Sequence, residues 1–409
     1  MSTLRISPDK HDVPEKLLSL PFLVLFFQAT CCNCYIAVFY CMEQWMAKIS
    51  VEPDLRGLLL AVLPCVVFLA RPLMTWLLYG RNTTWAMVTS ILCSSLTLLF
   101  YPCIESDNAV WAIFCLRALH GFCLGIYSCC TISLLVACIP KGQSARGFAL
   151  FSLTLLLPYA ILPAIGEWLI TLLGDEARLF AATSTLAVPA LLTLPLLRQK
   201  LQQQTRNTKK AAKAAQNAFM WKSLHPKDLG FVYLACLSFS IMTNEAIFFM
   251  KGLCQVIHAL PAYFFTTYTS TIMLIRLLGN VLFDKLPRYP VMLSCSLLLA
   301  ACTFAMAHAE GTELIWLSIV YGAGLGLLYP LLAALVCDRS SPEMRPINSN
   351  IMMAAFDLSG FLAPMIGGLI VNAGLGYGSV FISTSLSISV CGLCILTDLL
   401  LQKKQAHSA

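Results

Sequence analysis

The sequence predicts an all-α membrane protein, with twelve transmembrane helices in two pseudo-symmetric six-helix bundles. Three observations carry this reading. The 409 residues are 58% hydrophobic and only 11% charged, whereas a soluble domain is about 45–50% apolar and about 25% charged. Apolar runs of the roughly 17–25 residues that cross a bilayer recur along the whole chain. They are continuous rather than alternating, so of the two structures that lipid tolerates, helices and closed barrels, helices fit. Finally, the second half of the chain repeats the first.

The first span, 18–45, contains FQATCCNCYIAVFYCMEQW. It is too long for a signal peptide, lacks a small-residue cleavage site and is followed by eleven more spans, so it belongs to the mature chain. The second, 55–79, runs into a basic loop holding Arg81, and the third, 85–103, follows. The fourth, 110–138, carries Arg117 and His120; the fifth, 148–173, contains PAIGEW; the sixth, 179–197, ends at a basic stretch. Residues 198–228 hold eight Lys/Arg against one Asp and read as a solvated linker. Within it, 208–221 fits a short basic helix with Phe219, Met220 and Trp221 at the lipid interface as well as it fits plain linker. The seventh span, 229–257, carries Glu245, and the eighth, 262–283, overlaps RLLGNVLFDKLPR. The ninth, 290–307, and tenth, 313–337, precede an eleventh, 347–372, which carries Asp357, and a twelfth, 379–401. The chain therefore divides into a bundle at 1–197, a linker at 198–228 and a bundle at 229–409.

A shift of 201 places Gly121 on Gly322, Leu124 on Leu325, Gly125 on Gly326, Pro163 on Pro364 and Gly166 on Gly367, and a shift of 205 places Arg71 on Arg276. Parallel six-helix repeats fit a large class of secondary transporters whose substrate lies near the midplane between halves. Twenty Lys/Arg fall in the tails, the linker and the loops on its side, against three or four on the other. Positive charge stays inside, so both termini are expected in the cytoplasm. The net charge of +7 is thereby explained and implies no nucleic-acid partner. All nineteen cysteines fall within or at the ends of spans. Extracellular disulfides would sit in loops, and the two CxxC spacings, Cys31/Cys34 and Cys391/Cys394, arise easily among so many. They read as small buried hydrophobes.

Several motifs resemble the major facilitator superfamily, and within it the drug- and sugar-efflux type of proton antiporter. The longest is YGAGLGLLYPLLAALVCDRSSPEMRPINSNIMMAAFDLSGFLAPMIGGLIV, residues 321–371, which is similar to the family's tenth and eleventh helices. RPLMTWLLYGRNTT keeps Arg71, Pro72, Leu73 and Arg81 of the signature loop, but has Thr75 and Tyr79-Gly80 where the family has Gly and Asp-Arg. The second-half copy retains Arg276, Asp284, Lys285 and Arg288, and Asp338 has Ala137 as its first-half counterpart. Both acids of the family's cytoplasmic cluster are thus missing from the first half only. The resemblance implies a cytoplasmic gate of Arg71, Arg81, Arg276, Asp284, Lys285 and Asp338, carried mainly by the second-half residues. Arg117, Gly121 and Gly125 match the family's fourth-helix motif, with His120 where Gln is common. PAIGEW and PMIGGL resemble a helix-bend motif built on Pro163, Gly166, Pro364, Gly367 and Gly368, although Glu167 replaces a glycine in the first copy. A member of this family is expected to be a monomer in the plasma membrane, the inner membrane of a bacterium, and to carry a small molecule against protons without a cofactor.

An ionisable side chain deep in a bilayer is a functional candidate because it is costly there. Arg117, His120, Glu245 and Asp357 are the candidates for proton coupling: a carboxylate that gains and loses a proton, a cation that biases it and a relay. Structural roles compete, Glu245 pairing with Lys251 among them. Gln28, Asn33, Tyr35, Phe39, Phe249 and Tyr268 are expected to line the cavity. No HExxH, GxSxG or phosphate loop points to an enzyme. An importer or facilitator of a metabolite or lipid, or a metal carrier using Cys31, Cys34 and Cys41, are the rival readings.

Overall fold

The computed structural model describes residues 16–78, 83–105, 108–203, 205–206, 229–279 and 283–408. Nearly all of them are helical. In the first half, α1 is Leu20–Lys48, α2 Pro53–Leu78, α3 Thr83–Leu99 and α4 Ala109–Cys138. Helix α5 comprises Ser144–Phe151 and Leu153–Leu173, and α6 comprises Glu176–Leu192 and Leu194–Gln203, bent by 42°. In the second half, α7 is Gly230–Val256, α8 Pro261–Leu278, α9 Arg288–Met306, α10 Glu313–Arg339, α11 Arg345–Asn372 and α12 Gly376–Ser408.

Local chemistry sets several boundaries. Prolines occupy the first turns of α1, α8 and α11, where a fixed φ and a missing N–H cost nothing. Gly174 ends α5 in the left-handed region at φ 88°, a conformation favouring glycine. Trp85, Trp111, Trp168 and Trp316 stand exposed near helix ends, as expected of an aromatic belt at the membrane–water boundary.

Among the described residues, ten helices are long and apolar enough to cross a bilayer singly, and the bent α6 makes an eleventh. The predicted eighth span is present as α8, but its Thr and Tyr content makes it less apolar than the others, and it ends at Leu278 rather than 283. The sixth span is a broken helix rather than a straight one.

The two halves use the same helix pairs. Helix α2 packs on α4 as α8 does on α10, α1 on α5 as α7 on α11, and α1 on α6 as α7 on α12. The repeated glycines explain one pair of close approaches. A Cβ at Gly121 would lie 2.7 Å from the Leu63 carbonyl oxygen of α2, and one at Gly322 would lie 2.6 Å from the Tyr268 carbonyl oxygen of α8. Small residues let these backbones approach closely.

Between halves, the closely packed pairs are α2 with α11, α4 with α11, α5 with α10 and α5 with α8. None of these involves α1 or α7. The hydrogen bonds that join the halves, among the described residues, all lie toward the end where α6 leads into the linker. This linker end is closed.

Candidate functional site

The seam at the linker end is built on two arginines that the repeat makes equivalent. Arg71 of α2 is 5% exposed. It donates from Nε to Asp357 Oδ2 of α11 and from Nη2 to Asp357 Oδ1 at 3.4 Å, forming a two-point ion pair across the seam. Its Nη1 faces Asn350 Oδ1 at 3.4 Å. Asn350 in turn donates to Ser133 Oγ at 3.2 Å and lies 3.4 Å from the Cys129 carbonyl, fastening α11 to α4. By helix rise, Asp357 sits roughly 18 Å along α11 from Arg345, so the pair lies inside the membrane region.

Arg276 of α8, 6% exposed, pairs with no carboxylate among the described residues. It donates to Ser152 Oγ of α5 at 2.7 Å, and its guanidinium lies 5.2 Å from the Tyr329 ring centre. The break in α5 therefore presents a hydroxyl where the opposite seam presents a charge.

Nearer the surface, Asp284 Oδ1 accepts from the backbone N–H of Ala145 at 3.1 Å and Arg146 at 3.3 Å. These are orphan donors of the first turn of α5, so a second-half carboxylate caps a first-half helix and meets its positive end. Burial pushes the Asp284 carboxyl above the ordinary aspartate range, against the pull of these two amides. Asp338, at the end of α10, accepts from Ser144 Oγ through Oδ1 and from Arg288 Nη2 through Oδ2, the latter at 2.5 Å.

The expected gate residues are thus divided. Arg71, Arg276, Asp284 and Asp338 reach across or along the seam. Lys285 is exposed and makes no ion pair among the described residues; Arg288 takes the place expected of it. Arg81 lies outside the described residues.

The coupling candidates do not assemble into one cluster. Asp357 is bound to Arg71 and not to Arg117. Arg117 stays within the first bundle, donating from Nη2 to the Leu60 carbonyl at 2.9 Å and lying 5.1 Å from the Phe39 ring centre. His120 is fully buried, with neither ring nitrogen partnered among the described residues. Glu245 faces α12, accepting from Ser383 Oγ at 3.0 Å. Lys251 is exposed and does not pair with it; six residues along a helix put the two on different faces.

Gln28 is buried and donates to the Ala190 carbonyl of α6, and Tyr35 is buried in the first bundle's core. Both fill contacts inside the bundle instead of offering a free surface. Asn33 bonds Thr154 Oγ1 of α5 at 3.2 Å. Phe39, Phe249 and Tyr268 are partly buried. Phe249 stacks over Gly367, as Tyr40 does over Gly166, so these glycines make room for rings, whereas Gly368 faces open space. Pro163 and Pro364 lie inside α5 and α11. Cys31, Cys34 and Cys41 do not converge, and no three His, Cys, Asp or Glu side chains come together to hold a metal among the described residues.

The sequence model for the Major Facilitator Superfamily matches residues 22–312 and 260–407. The chain belongs to this superfamily. It is similar to the Inner membrane transport protein YdhP of Escherichia coli K12, at 24% identity over 88% of this chain and 90% of that one. Among solved structures it resembles the proton:xylose symporter XylE bound to 6-bromo-6-deoxy-D-glucose, at TM-score 0.74 and 13% identity over 92% of this chain and 94% of that one. It also resembles FucP in the outward conformation, at 0.71 and 14% over 94% and 99%, and the human organic anion transporter MFSD10, at 0.71 and 12% over 91% and 98%. The chain therefore has the superfamily's fold and is a multi-pass secondary transporter, not an enzyme.

Within that fold, sequence reasoning missed Asn350, Ser133, Ser144 and Ser152, which complete the seam. Asn350 was visible in the motif-rich stretch 321–371; the serines carried no signal, because a serine in a membrane helix usually bonds its own backbone.

Proposed function

We propose that this chain moves a small organic molecule out of the cell by alternating access, driven by protons, with the linker end facing the cytoplasm of a bacterial inner membrane. The single observation that carries the proposal is the buried Arg71–Asp357 pair across the seam. It is a latch whose strength depends on one proton. With Asp357 ionised, Arg71 is satisfied and the linker end stays closed. A proton arriving from the open side neutralises Asp357, Arg71 loses its partner, and the bundles part at the linker end. Cargo entering from the cytoplasm then replaces the proton, and the latch re-forms behind it.

The excess of Lys/Arg at the linker end supports the orientation, and the name of the Escherichia coli relative supports the membrane. An importer is the second reading, because XylE and FucP are named as proton symporters and the same latch serves either direction. Purified chain in proteoliposomes, screened against labelled amphipathic molecules with the pH gradient in each orientation, tests both. Export requires accumulation against an opposing proton gradient, and its collapse when the gradient is removed. Cargo and protons moving together would establish import, and flux indifferent to pH would leave a facilitator.

A further inference from the structure

Glu245 is a buried acid that the latch does not use. It is 0% exposed and belongs to none of the ion pairs among the described residues. Its helix, α7, packs on α8, α10, α11 and α12. Each of these carries ionisable groups of its own, but none sets a cation against the carboxyl. Arg276 of α8 is turned to Ser152, and Asp357 of α11 is held by Arg71. Asp398 of α12 is bound to Arg339 and stands roughly 22 Å by helix rise from Ser383. Tyr321 of α10 lies within electrostatic reach of Glu245 and is itself fully buried. On α7, Lys251 is exposed. The groups that act on the Glu245 carboxyl are two hydroxyls of α12, those of Ser383 and Thr384.

The two hydroxyls are not alike. Ser383 donates to Glu245 Oε1 at 3.0 Å. Thr384 has its single proton committed, donating to the Val380 carbonyl at 2.8 Å, so toward Glu245 its oxygen can only accept. Oε2 is buried and meets no donor among the described residues. A carboxylate here would rest its charge on one hydrogen bond from a neutral hydroxyl. An ionised carboxyl buried without a partner is so costly that such a group takes up a proton instead. The neutral acid fits the same contacts. Its carbonyl oxygen is Oε1, which accepts from Ser383, and its proton sits on Oε2, where no donor competes.

We propose that Glu245 is a neutral carboxylic acid at physiological pH, a fixed brace between α7 and α12 and not a site of proton exchange. The two acids inside the membrane helices of the second bundle then have separate roles. Asp357 is ionised against a cation and can exchange a proton; Glu245 is neutral against a serine and keeps its own. The protonation state of Glu245 stands by itself, and its consequence for coupling rests on the transport reading above.

The test is infrared spectroscopy of the purified chain in detergent at about pH 8, several units above an ordinary glutamate. The expected result is the C=O stretch of a protonated carboxylic acid in the unmodified chain and its loss in Glu245→Gln, which replaces the neutral acid nearly atom for atom. Ser383→Ala removes the donor to Oε1 and should move the same band to higher frequency. No protonated-carboxyl band in the unmodified chain overturns the proposal, and this outcome needs no variant. A band that survives in Glu245→Gln overturns it as well. If that variant fails to fold, Ser383→Ala makes the assignment, and a band it leaves unmoved overturns the placement of the proton on Oε2. Proteoliposome flux then tests the consequence. A group that never gives up its proton is replaced by glutamine without loss, so Glu245→Gln should keep the pH dependence of transport, and losing it overturns the brace. A chain that carries no cargo ends the transport reading and leaves the spectra as they are, so the two failures are told apart.

Discussion

The two seams of this transporter descend from one pattern and do different work. Arg71 and Arg276 hold equivalent places in the repeat, and each reaches from its own bundle to the other. Arg71 finds a carboxylate, Asp357, with Asn350 beside it. Arg276 finds a serine hydroxyl and an aromatic face. The surface acids are distributed the opposite way: Asp284 and Asp338 both come from the second half and act on the start of α5. The difference teaches that duplication preserves helix packing, which small residues enforce, while the charges that switch are free to concentrate on one side. On the proposed mechanism one seam is a switch and the other a fixed clasp.

Breaking the switch should have the largest effect. Asp357→Asn leaves a buried guanidinium without its partner, at a cost of about 3–5 kcal/mol to the closed state. Protection from hydrogen exchange at the linker end of α4 and α11 should fall. Arg276→Gln loses a hydrogen bond and a ring contact, about 1–2 kcal/mol. Equal losses for the two arginines' seams, measured as protection at the same amides, would abolish the contrast between switch and clasp.

Removing the helix cap comes next. Asp284→Ala strips two N–H groups of their acceptor, about 1 kcal/mol, and exchange at Ala145 and Arg146 should quicken. Asp284→Asn keeps a carbonyl oxygen and should recover most of the protection. The pH dependence of this contact separates it from the latch. Because the closed state raises the Asp284 carboxyl above its ordinary range, proton uptake favours closure there. That contribution is fully present below the ordinary aspartate range and is lost as pH rises through the raised value. The proposed latch is expected to run the other way, a proton on Asp357 opening the linker end. Two acid-range responses of the same sign, in variants lacking one contact or the other, would show that a single group controls the linker end.

The smallest effect is expected at Asp338. Its pair with Arg288 is about a quarter exposed on both sides, and solvent screening limits such pairs to about 0.5–1 kcal/mol. A double-mutant cycle on Arg288 and Asp338, read by thermal unfolding, should give a coupling of this size; a value above about 2 kcal/mol would move the main latch to this position.

Much of this was legible in the sequence because it rests on one-dimensional signals. Twelve apolar spans, the glycine pairs 121/322 and 125/326, and the loss of acids from one half can be read without a structure. The arginine pair 71/276 was equally visible, and so were Asp284 and Asp338 as seam residues. What was not legible is which face each helix buries. In lipid both faces are apolar, so periodicity does not separate core from surface. Gln28 and Tyr35, expected in the cavity from their residue types, accordingly lie in the bundle interior. Partner choice was hidden for the same reason. Asp357 lies 286 positions from Arg71, and nothing local distinguished that partner from Arg117, which the repeat leaves inside its own bundle. Lys285, expected in the gate, is exposed and makes no ion pair among the described residues, and Arg288 at the start of α9 meets Asp338 instead.

The central claim is that one proton on Asp357 controls the closure of the linker end. Spin labels carried by non-natural amino acids at Lys141 and Glu343, exposed sites on opposite halves, would report that closure as a distance distribution without disturbing the nineteen cysteines. The account predicts a single short distance at neutral pH, a longer population appearing as pH falls, and that longer population at every pH in Asp357→Asn. Identical distributions for the unmodified chain and Asp357→Asn across the whole pH range would contradict it.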